Sequence, residues 1–300
     1  MRAANTYIVT GPTSGIGRAA AFELARHGTV ILAARERGKL QALQTALERN
    51  GARVFSVVCD LSDLASVRRA AAEIVALGLP IAGLLNNAGI SQQRPTRTAQ
   101  GWDMTFATNH LGPFALTQAL VPHLPDGATI VFVTSTLEDP ACQPGKFVGY
   151  KGGRYISAEA SARGEWAPGG ATTPGFDAYA TSKQCNLATA LALARETPRL
   201  RFSAVTPGLI LTTGLLGRDP NGVMPKYVVP AFVALLRPFM RFLSTPKKAA
   251  RVLTKILTDE TGRTGIYYDE SGRPMQGSAR VRDPKFQDRV VAETRALLAG

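Results

Sequence analysis

The 300-residue sequence has 45% hydrophobic and 19% charged residues, enough apolar side chains for the core of one large domain or two small ones, and this excludes intrinsic disorder. The 35 Lys and Arg residues outnumber the 22 Asp and Glu residues by 13, which favours acidic ligands in general. The basic residues are dispersed and form neither a helix-turn-helix nor an RNA-binding signature, so nucleic acid is not an expected partner.

The cysteines and histidines bear on metal binding and location. Three of each are scattered without metal-ligand spacing, at Cys59, Cys142, Cys185, His27, His110 and His123. Neither a zinc site nor a disulfide framework is therefore predicted. The apolar run at residues 228–236 is far shorter than the roughly 20 residues that span a bilayer, and no secretory signal follows Met1. We therefore expect a cytoplasmic protein.

Short apolar runs alternate with stretches of helical periodicity, which is typical of βαβ units around a parallel sheet. Seven strands are predicted, at residues 7–10, 29–33, 53–58, 83–86, 129–134, 201–206 and 265–268, with helices between them, for example over 16–27 and 64–77. The run Ile130-Val131-Phe132-Val133 indicates a strand that is buried on both faces. The prediction is one α/β domain over residues 1–300, with a doubly wound parallel sheet flanked by helices.

Two segments interrupt this alternation. Residues 137–176 contain eight Gly and four Pro among several aromatic residues, and we interpret them as a long ordered insertion. Residues 209–248 begin with a stretch rich in Leu, Val, Phe, Met and Pro, with basic residues at intervals. Neither segment has the long polar run of an interdomain linker.

The first predicted strand runs directly into a glycine-rich turn that opens a helix. The turn reads Thr10-Gly11-Pro12-Thr13-Ser14-Gly15-Ile16-Gly17. Gly11 permits a tight turn, Gly15 allows backbone N–H groups to approach a pyrophosphate, and Gly17 allows the helix to pack close to the sheet. This context predicts a dinucleotide-binding loop, with Thr13, Ser14 and Ile16 also contacting the cofactor.

The end of the second predicted strand indicates which dinucleotide binds. The acidic residue that usually holds the ribose hydroxyls of NAD is missing, and Arg35 and Lys39 follow instead. Their cations favour a 2′-phosphate, so NADP(H) is the predicted cofactor. The alternative is that both are solvated charges at the start of a helix, and Glu36 beside them weakens the phosphate interpretation.

The third predicted strand ends near Asp60 and Leu61, which are candidate contacts for the adenine. A second reading is that Asp60, Ser62 and Asp63 cap the following helix.

Several further motifs follow in a fixed order. They are Asn86-Asn87-Ala88-Gly89, Asn109, Ser135, Tyr179-x-x-x-Lys183 and Pro207-Gly208 followed by Thr212. With the glycine-rich turn, they make the sequence resemble the short-chain dehydrogenase/reductases over about residues 5–270. The resemblance implies a Rossmann fold with seven parallel strands and a nicotinamide cofactor held also by Asn87, Ala88, Gly89, Pro207, Gly208 and Thr212.

The resemblance also implies catalytic roles. Tyr179 is the expected proton donor to a carbonyl oxygen, and Ser135 hydrogen-bonds that oxygen. Lys183 holds the nicotinamide ribose, and because it lies four residues from Tyr179 on a helix, its charge is expected to lower the pKa of the phenol together with oxidised nicotinamide. Asn109 is expected to anchor a water of a proton relay, and Thr212 to contact the carboxamide.

Structural alternatives remain open for some of these residues. Asn87 and Gly89 are alternatively turn residues, and Asn109 a residue of a helix bend. The hydroxyl assigned to Ser135 alternatively belongs to a neighbouring threonine, Thr134 or Thr136.

Ser135 and Tyr179 are 44 residues apart, a long gap that resembles the retinol dehydrogenase-like branch and, more closely, the light-dependent protochlorophyllide reductases. The fragments Ser182-Lys183-Gln184-Cys185-Asn186-Leu187 and Thr212-Thr213-Gly214-Leu215-Leu216 are similar to that branch. One departure is Leu209, because a cysteine implicated in catalysis follows the Pro-Gly of the pigment reductases. Light-driven reduction of a C=C bond is therefore the alternative, beside a non-catalytic NADP-binding regulator.

The segment at residues 209–248 falls where the family builds its substrate lid, which predicts a bulky hydrophobic substrate. The residues expected to line or cover the pocket are Phe232, Leu235, Leu236, Phe239, Met240 and Phe242. The alternatives are a basic amphipathic helix on an anionic membrane surface and ordinary packing between helices or subunits. Members of the family often form homodimers through the helices after the fourth and fifth strands; here the alternatives are such a homodimer and an insertion that blocks or replaces that pairing. The expected activity is NADPH-dependent carbonyl reduction or the reverse alcohol oxidation.

Overall fold

The computed structural model describes residues 5–147, 149–210 and 244–300, with Phe147 described by its backbone alone. Its eight strands form one sheet in the order β3-β2-β1-β4-β5-β6-β7-β8. The strands are β1 Thr6–Thr10, β2 Thr29–Ala34, β3 Val54–Val58, β4 Ile81–Asn86, β5 Thr129–Val133, β6 Arg201–Val205, β7 Ile266–Tyr268 and β8 Pro274–Met275. The strand order reverses between β1 and β4, which is the switch point where a doubly wound sheet binds its ligand.

The predicted α/β fold with seven parallel strands is confirmed, and each predicted strand overlaps an observed one. The sheet also contains β8, which pairs antiparallel with β7 through Tyr267–Met275 and Tyr268–Pro274. The sequence analysis missed β8 because two residues, one of them proline, show no period-2 alternation.

The helices that flank the sheet follow the predicted alternation. They are α1 Gly15–Leu24, α2 Arg37–Glu48, α3 Leu64–Ala76, α4 Met104–Phe106, α5 Gly112–Leu120, α6 Gln143–Phe147, α7 Ala158–Ala162, α8 Pro174–Glu196, α9 Pro246–Leu257 and α10 Pro284–Ala299. A π-helical turn, Ala107–Leu111, joins α4 to α5, and the short 3₁₀ turns Val121–His123 and Thr136–Glu138 follow α5 and β5. Within the described residues, no helix is long and apolar enough to cross a bilayer.

The apolar strands divide their side chains between two cores. In β1, Ile8 points into the core formed with α3, α5, α8 and α10, whereas its neighbours Tyr7 and Val9 point into the core formed with α1, α2 and α9. Burial on both faces explains why these strands are nearly continuous apolar runs. Because apolar side chains cover both faces of the sheet, the polar candidate residues lie at its edge, after the carboxyl ends of the strands.

The insertion at residues 137–176 is ordered over its described part and contains α6 and α7. Tyr155 lies inside it, buried, and its hydroxyl donates to Glu293 Oε2 of α10 at 2.6 Å. Its ring also contacts Phe286 edge to face, with the ring centroids 5.6 Å apart. The insertion thus packs on the C-terminal helix. Most of the predicted lid, residues 211–243, and with it Thr212, lies outside the described residues.

Candidate active site

The glycine-rich loop joins β1 to α1 and has no room for side chains at two of its glycines. Gly11 has a φ of 63°, and a Cβ there would lie 2.9 Å from the Cα of Ala88. A Cβ at Gly17 would lie 2.2 Å from the carbonyl oxygen of Gly11. Gly15, the first residue of α1, has a φ of 52°. The loop backbone is therefore open beside a helix N-terminus, which fits the pyrophosphate of a dinucleotide, with Thr13, Ser14 and Ile16 around it.

The residues after β4 hold this loop in place by hydrogen bonds. The Asn87 side chain donates to the carbonyl oxygen of Thr10 at 2.9 Å and to that of Gly11 at 3.3 Å. The backbone N–H groups of Asn87 and Ala88 donate to the hydroxyl of Thr10 at 3.0 and 3.1 Å. The alternative interpretation of Asn87 as a turn residue thus agrees with the bonds that its side chain makes to the loop. Thr10 is a residue that the sequence analysis missed, although its position directly before Gly11 was a signal.

Arg35 and Lys39 differ in their availability for a phosphate. Both are exposed just beyond the carboxyl end of β2. The ammonium of Lys39 lies 2.7 Å from a carboxylate oxygen of Glu36, whereas Arg35 forms no ion pair with any described residue. The charge of Lys39 is therefore partly neutralised by direct contact, whereas Arg35 only interacts with Glu36 at longer range, by which it contributes to lowering the pKa of that carboxyl.

Asp60 and Leu61 follow the carboxyl end of β3, and the hydrogen bonds here support the interpretation of this segment as a turn and helix cap, while the adenine contact stays a prediction. Asp60 Oδ1 accepts from the N–H and the hydroxyl of Ser62, at 2.9 and 2.7 Å, which is a local turn. Asp63 caps α3 by accepting from the N–H of Ala65 at 2.9 Å. The second oxygen of Asp60 is not engaged in these bonds, so capping leaves it free for a ligand.

Tyr179 and Lys183 lie on one face of α8, a helix of 23 residues whose central turns are almost entirely buried. Lys183 Nζ lies 5.6 Å from the centre of the Tyr179 ring and donates to the carbonyl oxygen of Val133 at 2.9 Å. A Cβ at Gly89 would lie 3.4 Å from Lys183 Nζ, so the glycine leaves space beside the ammonium.

Burial controls the protonation of this pair in the protein alone. It raises the pKa of Tyr179, with a further increase from Tyr150 and a decrease from Ser135. It also lowers the pKa of Lys183 to about 8. In the protein without cofactor, the cost of a buried phenolate is the largest effect, so the expected lowering of the pKa by Lys183 together with oxidised nicotinamide stays a prediction for the complex. Tyr179 therefore holds its proton at neutral pH.

Ser135 lies two residues after the end of β5 and caps the 3₁₀ turn Thr136–Glu138, its hydroxyl accepting from the N–H of Leu137 at 3.2 Å. Of the three neighbouring hydroxyls, that of Ser135 interacts with Tyr179 and lowers its pKa, whereas that of Thr134 interacts with Tyr267. The geometry therefore favours Ser135 over Thr134 as the partner of Tyr179.

Asn109 lies in the π-helical turn, which agrees with its reading as a residue of a helix bend. Its side chain accepts from the N–H of Ile90 at 2.8 Å and donates to the carbonyl of Ile90 at 2.9 Å and to the Ser182 hydroxyl at 3.1 Å. Its backbone carbonyl accepts from the Asn186 side chain at 2.8 Å. Asn109 therefore holds the loop after β4 against α8. Its side-chain oxygen and its backbone carbonyl oxygen each already accept a hydrogen bond, so the predicted water would have to share one of them.

Two residues of the insertion also belong to this region, and the sequence analysis assigned neither a role. Tyr150 contacts Tyr179 edge to face, with centroids 6.0 Å apart, and stacks on Phe176 at 4.0 Å. Glu138 is buried and accepts from the N–H and the hydroxyl of Ser278, at 2.7 and 2.6 Å. An aromatic residue in a glycine-rich insertion was a weak signal for Tyr150, and no local pattern marked Glu138.

The last predicted cofactor contacts follow β6. Pro207 and Gly208 come after the strand, and Gly208 has a φ of 76°. The carbonyl of Leu209 accepts from the N–H of Ser244 at 3.0 Å. Pro207 and Gly208 therefore lie just past the carboxyl end of β6, the strand that pairs with β5, after which Ser135 follows.

The comparisons with known proteins agree with this arrangement. A family model described as short chain dehydrogenase matches residues 5–143. Protochlorophyllide reductase A, chloroplastic, of Oryza sativa subsp. japonica is 28% identical over 93% of this chain and 76% of its own length. Among solved structures, an uncharacterized protein from Mycobacterium paratuberculosis is similar, with a TM-score of 0.71 and 27% identity over 99% of this chain and 94% of its own. A blue fluorescent protein from a metagenomic library in complex with NADPH has a TM-score of 0.63 and 25% identity over 90% and 97% of the two chains.

Proposed function

This chain belongs to the short-chain dehydrogenase/reductase family, and from that premise we propose that it is an NADPH-dependent oxidoreductase of bulky hydrophobic carbonyl compounds. It transfers a hydride to a ketone or aldehyde, or catalyses the reverse oxidation of the alcohol. The observation that carries the proposal is the convergence of Ser135, Tyr179 and Lys183 at the carboxyl edge of the sheet, beside the loop that contains Gly11.

The protonation of the site suits reduction. A carbonyl that receives a hydride develops negative charge on its oxygen and then takes a proton. Tyr179 carries its proton at neutral pH and can therefore act as the donor, while burial, by raising its pKa, makes proton release depend on the positive charge of Lys183 and of bound cofactor. The hydroxyl of Ser135 stabilises the same oxygen by a hydrogen bond, and the Lys183 ammonium adds positive charge nearby. Bound NADPH would supply the hydride.

Preference for NADPH over NADH rests on Arg35. A guanidinium can form two parallel hydrogen bonds to a phosphate dianion, and among the described residues Arg35 forms no direct ion pair, since its neighbour Glu36 pairs with Lys39. The similar blue fluorescent protein was solved with NADPH, which supports the same choice.

The hydrophobic substrate is proposed from two features. The sequence of residues 209–248 is apolar where the family builds its lid. Beside Tyr179, the side chains of Tyr150, Leu137 and Phe176 form a small apolar cluster. A substrate that places its carbonyl at Tyr179 would lie near this cluster.

Reduction of a C=C bond of the protochlorophyllide type is the second candidate. The similarity to protochlorophyllide reductase across 93% of the chain favours it. Leu209 stands against it, because it occupies the place of the cysteine implicated in catalysis in that branch. A non-catalytic NADP-binding regulator is disfavoured by the presence of Ser135, Tyr179 and Lys183 together.

The test is NADPH oxidation in the dark with a panel of lipophilic ketones, aldehydes and activated alkenes, run beside NADH and beside Tyr179→Phe. We expect turnover of a carbonyl with NADPH that Tyr179→Phe abolishes. Turnover that survives Tyr179→Phe would contradict the mechanism. If NADPH binds but only illumination produces turnover of an alkene, the C=C candidate replaces the carbonyl one.

A further inference from the structure

Helices α1 and α9 pack side by side and leave a surface groove of about 860 Å³ between them. We call it the basic groove. The cationic residues on its walls are Arg18 and Arg26 of α1 and Lys247 and Arg251 of α9. Phe22 and the alanines Ala19 and Ala250 also line it. The basic groove thus combines apolar surface with four cations.

Helix α9 presents only basic side chains to solvent. Its buried face consists of Ala249, Ala250, Leu253, Thr254, Ile256 and Leu257, which pack against the sheet and α1. Its exposed residues are Lys247, Lys248, Arg251 and Lys255. The helix is therefore strongly amphipathic, with an outer face that carries no acid.

The four cations of the basic groove form fewer ion pairs with carboxylates than the exposed arginines of α10 do. Within the described residues, the one ion pair on the walls of the basic groove joins Arg26 to Glu23 at 3.5 Å. Lys247 and Arg251 form none, and Arg18 lies over the Phe22 ring at 5.0 Å. On α10, by contrast, exposed arginines pair with carboxylates, for example Arg289 with Glu293 at 2.7 Å.

The position of Lys247 and Lys248 is unfavourable for the helix itself. Both lie in the first turn of α9, after the cap at Thr245 and Pro246, and this turn contains no acidic residue. Positive charge near a helix N-terminus opposes the helix dipole. A local arrangement that costs stability without a visible structural gain is expected at a functional surface.

An occupant of the basic groove has to offer an anionic group to the walls and apolar atoms to Phe22. We propose that the basic groove binds the phosphate headgroup of an anionic phospholipid and thereby docks the protein on an anionic membrane surface. Arginine and lysine bind phosphate by charge-assisted hydrogen bonds, and clusters of basic residues on an amphipathic helix are attracted to anionic bilayers. Gly15 of the glycine-rich loop also borders the basic groove, but the four cations that carry this inference have no part in the proposed function.

The experiment is co-sedimentation of the full-length protein with vesicles of phosphatidylglycerol and phosphatidylcholine, compared with vesicles of phosphatidylcholine alone. We expect binding to the anionic vesicles that weakens as salt is added. Lys247→Ala combined with Arg251→Ala is expected to reduce partitioning roughly twentyfold, about fivefold for each cation removed. Because Lys247 opposes the helix dipole, the same variant is expected to unfold at an equal or higher temperature than the unaltered protein.

The matched control is Arg282→Ala combined with Lys285→Ala, which removes two exposed cations near the start of α10. Its net charge equals that of the groove variant, and its partitioning is expected to change less than about twofold. Equal losses in the two variants, or equal binding to phosphatidylcholine, would overturn the proposal. So would retention on DNA, on an acidic protein or on immobilised phosphate, dependent on Lys247 and Arg251, without any binding to anionic vesicles.

Discussion

The ammonium of Lys183 is hydrogen-bonded at 2.9 Å to the carbonyl oxygen of Val133, the last residue of β5. This bond ties the cation of α8 to the strand end that also carries Ser135. The ammonium is fully buried at this position, and the resulting desolvation lowers its pKa to about 8.

The first prediction concerns stability against pH. An exposed lysine has a pKa of 10.5, so between about pH 8 and 10 the unfolded chain keeps a proton that folded Lys183 has released. The free energy of unfolding therefore gains about 2 kcal/mol from this group over that interval. Burial raises the pKa values of Cys59, Cys185 and Tyr179, and these groups lower the stability over the same interval. The rise from Lys183 is therefore read as a difference: in urea denaturation, the unaltered protein is expected to gain about 2 kcal/mol relative to Lys183→Met between pH 8 and 10. The exposed control Lys248→Met should keep this gain; an equal change in Lys183→Met and the unaltered protein would contradict the assignment.

The second prediction concerns the choice of cofactor. Arg35→Ala is expected to raise the KM for NADPH roughly tenfold or more and to change the KM for NADH little, because a charge-assisted bond to the 2′-phosphate is lost. Lys39→Ala should have a smaller effect, since Glu36 already pairs with this ammonium. Arg49→Ala, at the other end of α2, is the control for charge. Equal changes in both KM values would assign Arg35 to the solvated surface.

The third prediction concerns the glycine-rich loop. Gly17→Ala places a methyl group 2.2 Å from the carbonyl oxygen of Gly11 and 2.5 Å from the Asn87 side chain. The loop has to shift, so we expect a lower melting temperature and weaker binding of NADPH, measured by fluorescence titration. Gly38→Ala in α2 has open space around the added methyl group and is expected to stabilise the protein by up to about 1 kcal/mol. Unchanged cofactor binding in Gly17→Ala would contradict the close approach.

The fourth prediction concerns Glu138. Burial raises the pKa of this carboxyl, and the hydrogen bonds from Ser278 lower it. Ser278→Ala removes the donor to one oxygen and is expected to cost about 1 to 3 kcal/mol of unfolding free energy. The cost should be larger at pH 8 than at pH 5, because a buried acid with a raised pKa destabilises the fold as it ionises. Chemical denaturation at both pH values measures this.

The control for Glu138 is Ser271→Ala. This exposed serine donates to Asp269 at 2.7 Å in a surface turn, and its loss is expected to cost less than about 0.5 kcal/mol. A cost for Ser278→Ala that does not depend on pH would contradict the prediction that Glu138 changes its protonation between pH 5 and 8.

The fifth prediction concerns oligomeric state. Pairing through α5 and α8, as the family resemblance implied, requires an open face on α8, but α10 and the insertion cover it. His110 and Thr294, for example, lie between these layers with the imidazole Nε2 3.1 Å from the hydroxyl. We expect light scattering to give the mass of one chain, 31.9 kDa. A mass of two chains would show that another surface pairs.

The sequence by itself determined the sheet and the order of its motifs. Strands buried on both faces need continuous apolar runs, such as Ile130 to Val133, and a loop that approaches an anion needs glycines at 11, 15 and 17. Both requirements concern residues that are close together in the chain, so the sequence shows them directly. The spacing of Tyr179 and Lys183 is local in the same way, because a helix brings residues four apart to one face.

The tertiary structure decided what depends on contacts between distant segments. The pKa of Tyr179 follows from the burial of α8 under the insertion, which no spacing between Tyr179 and Lys183 could reveal. The pairing of Glu138 with Ser278 joins residues 140 positions apart. The basic groove exists because α1 and α9 pack together. Desolvation and surface charge depend on which distant segments the fold brings together. The sequence pattern alone therefore does not show them.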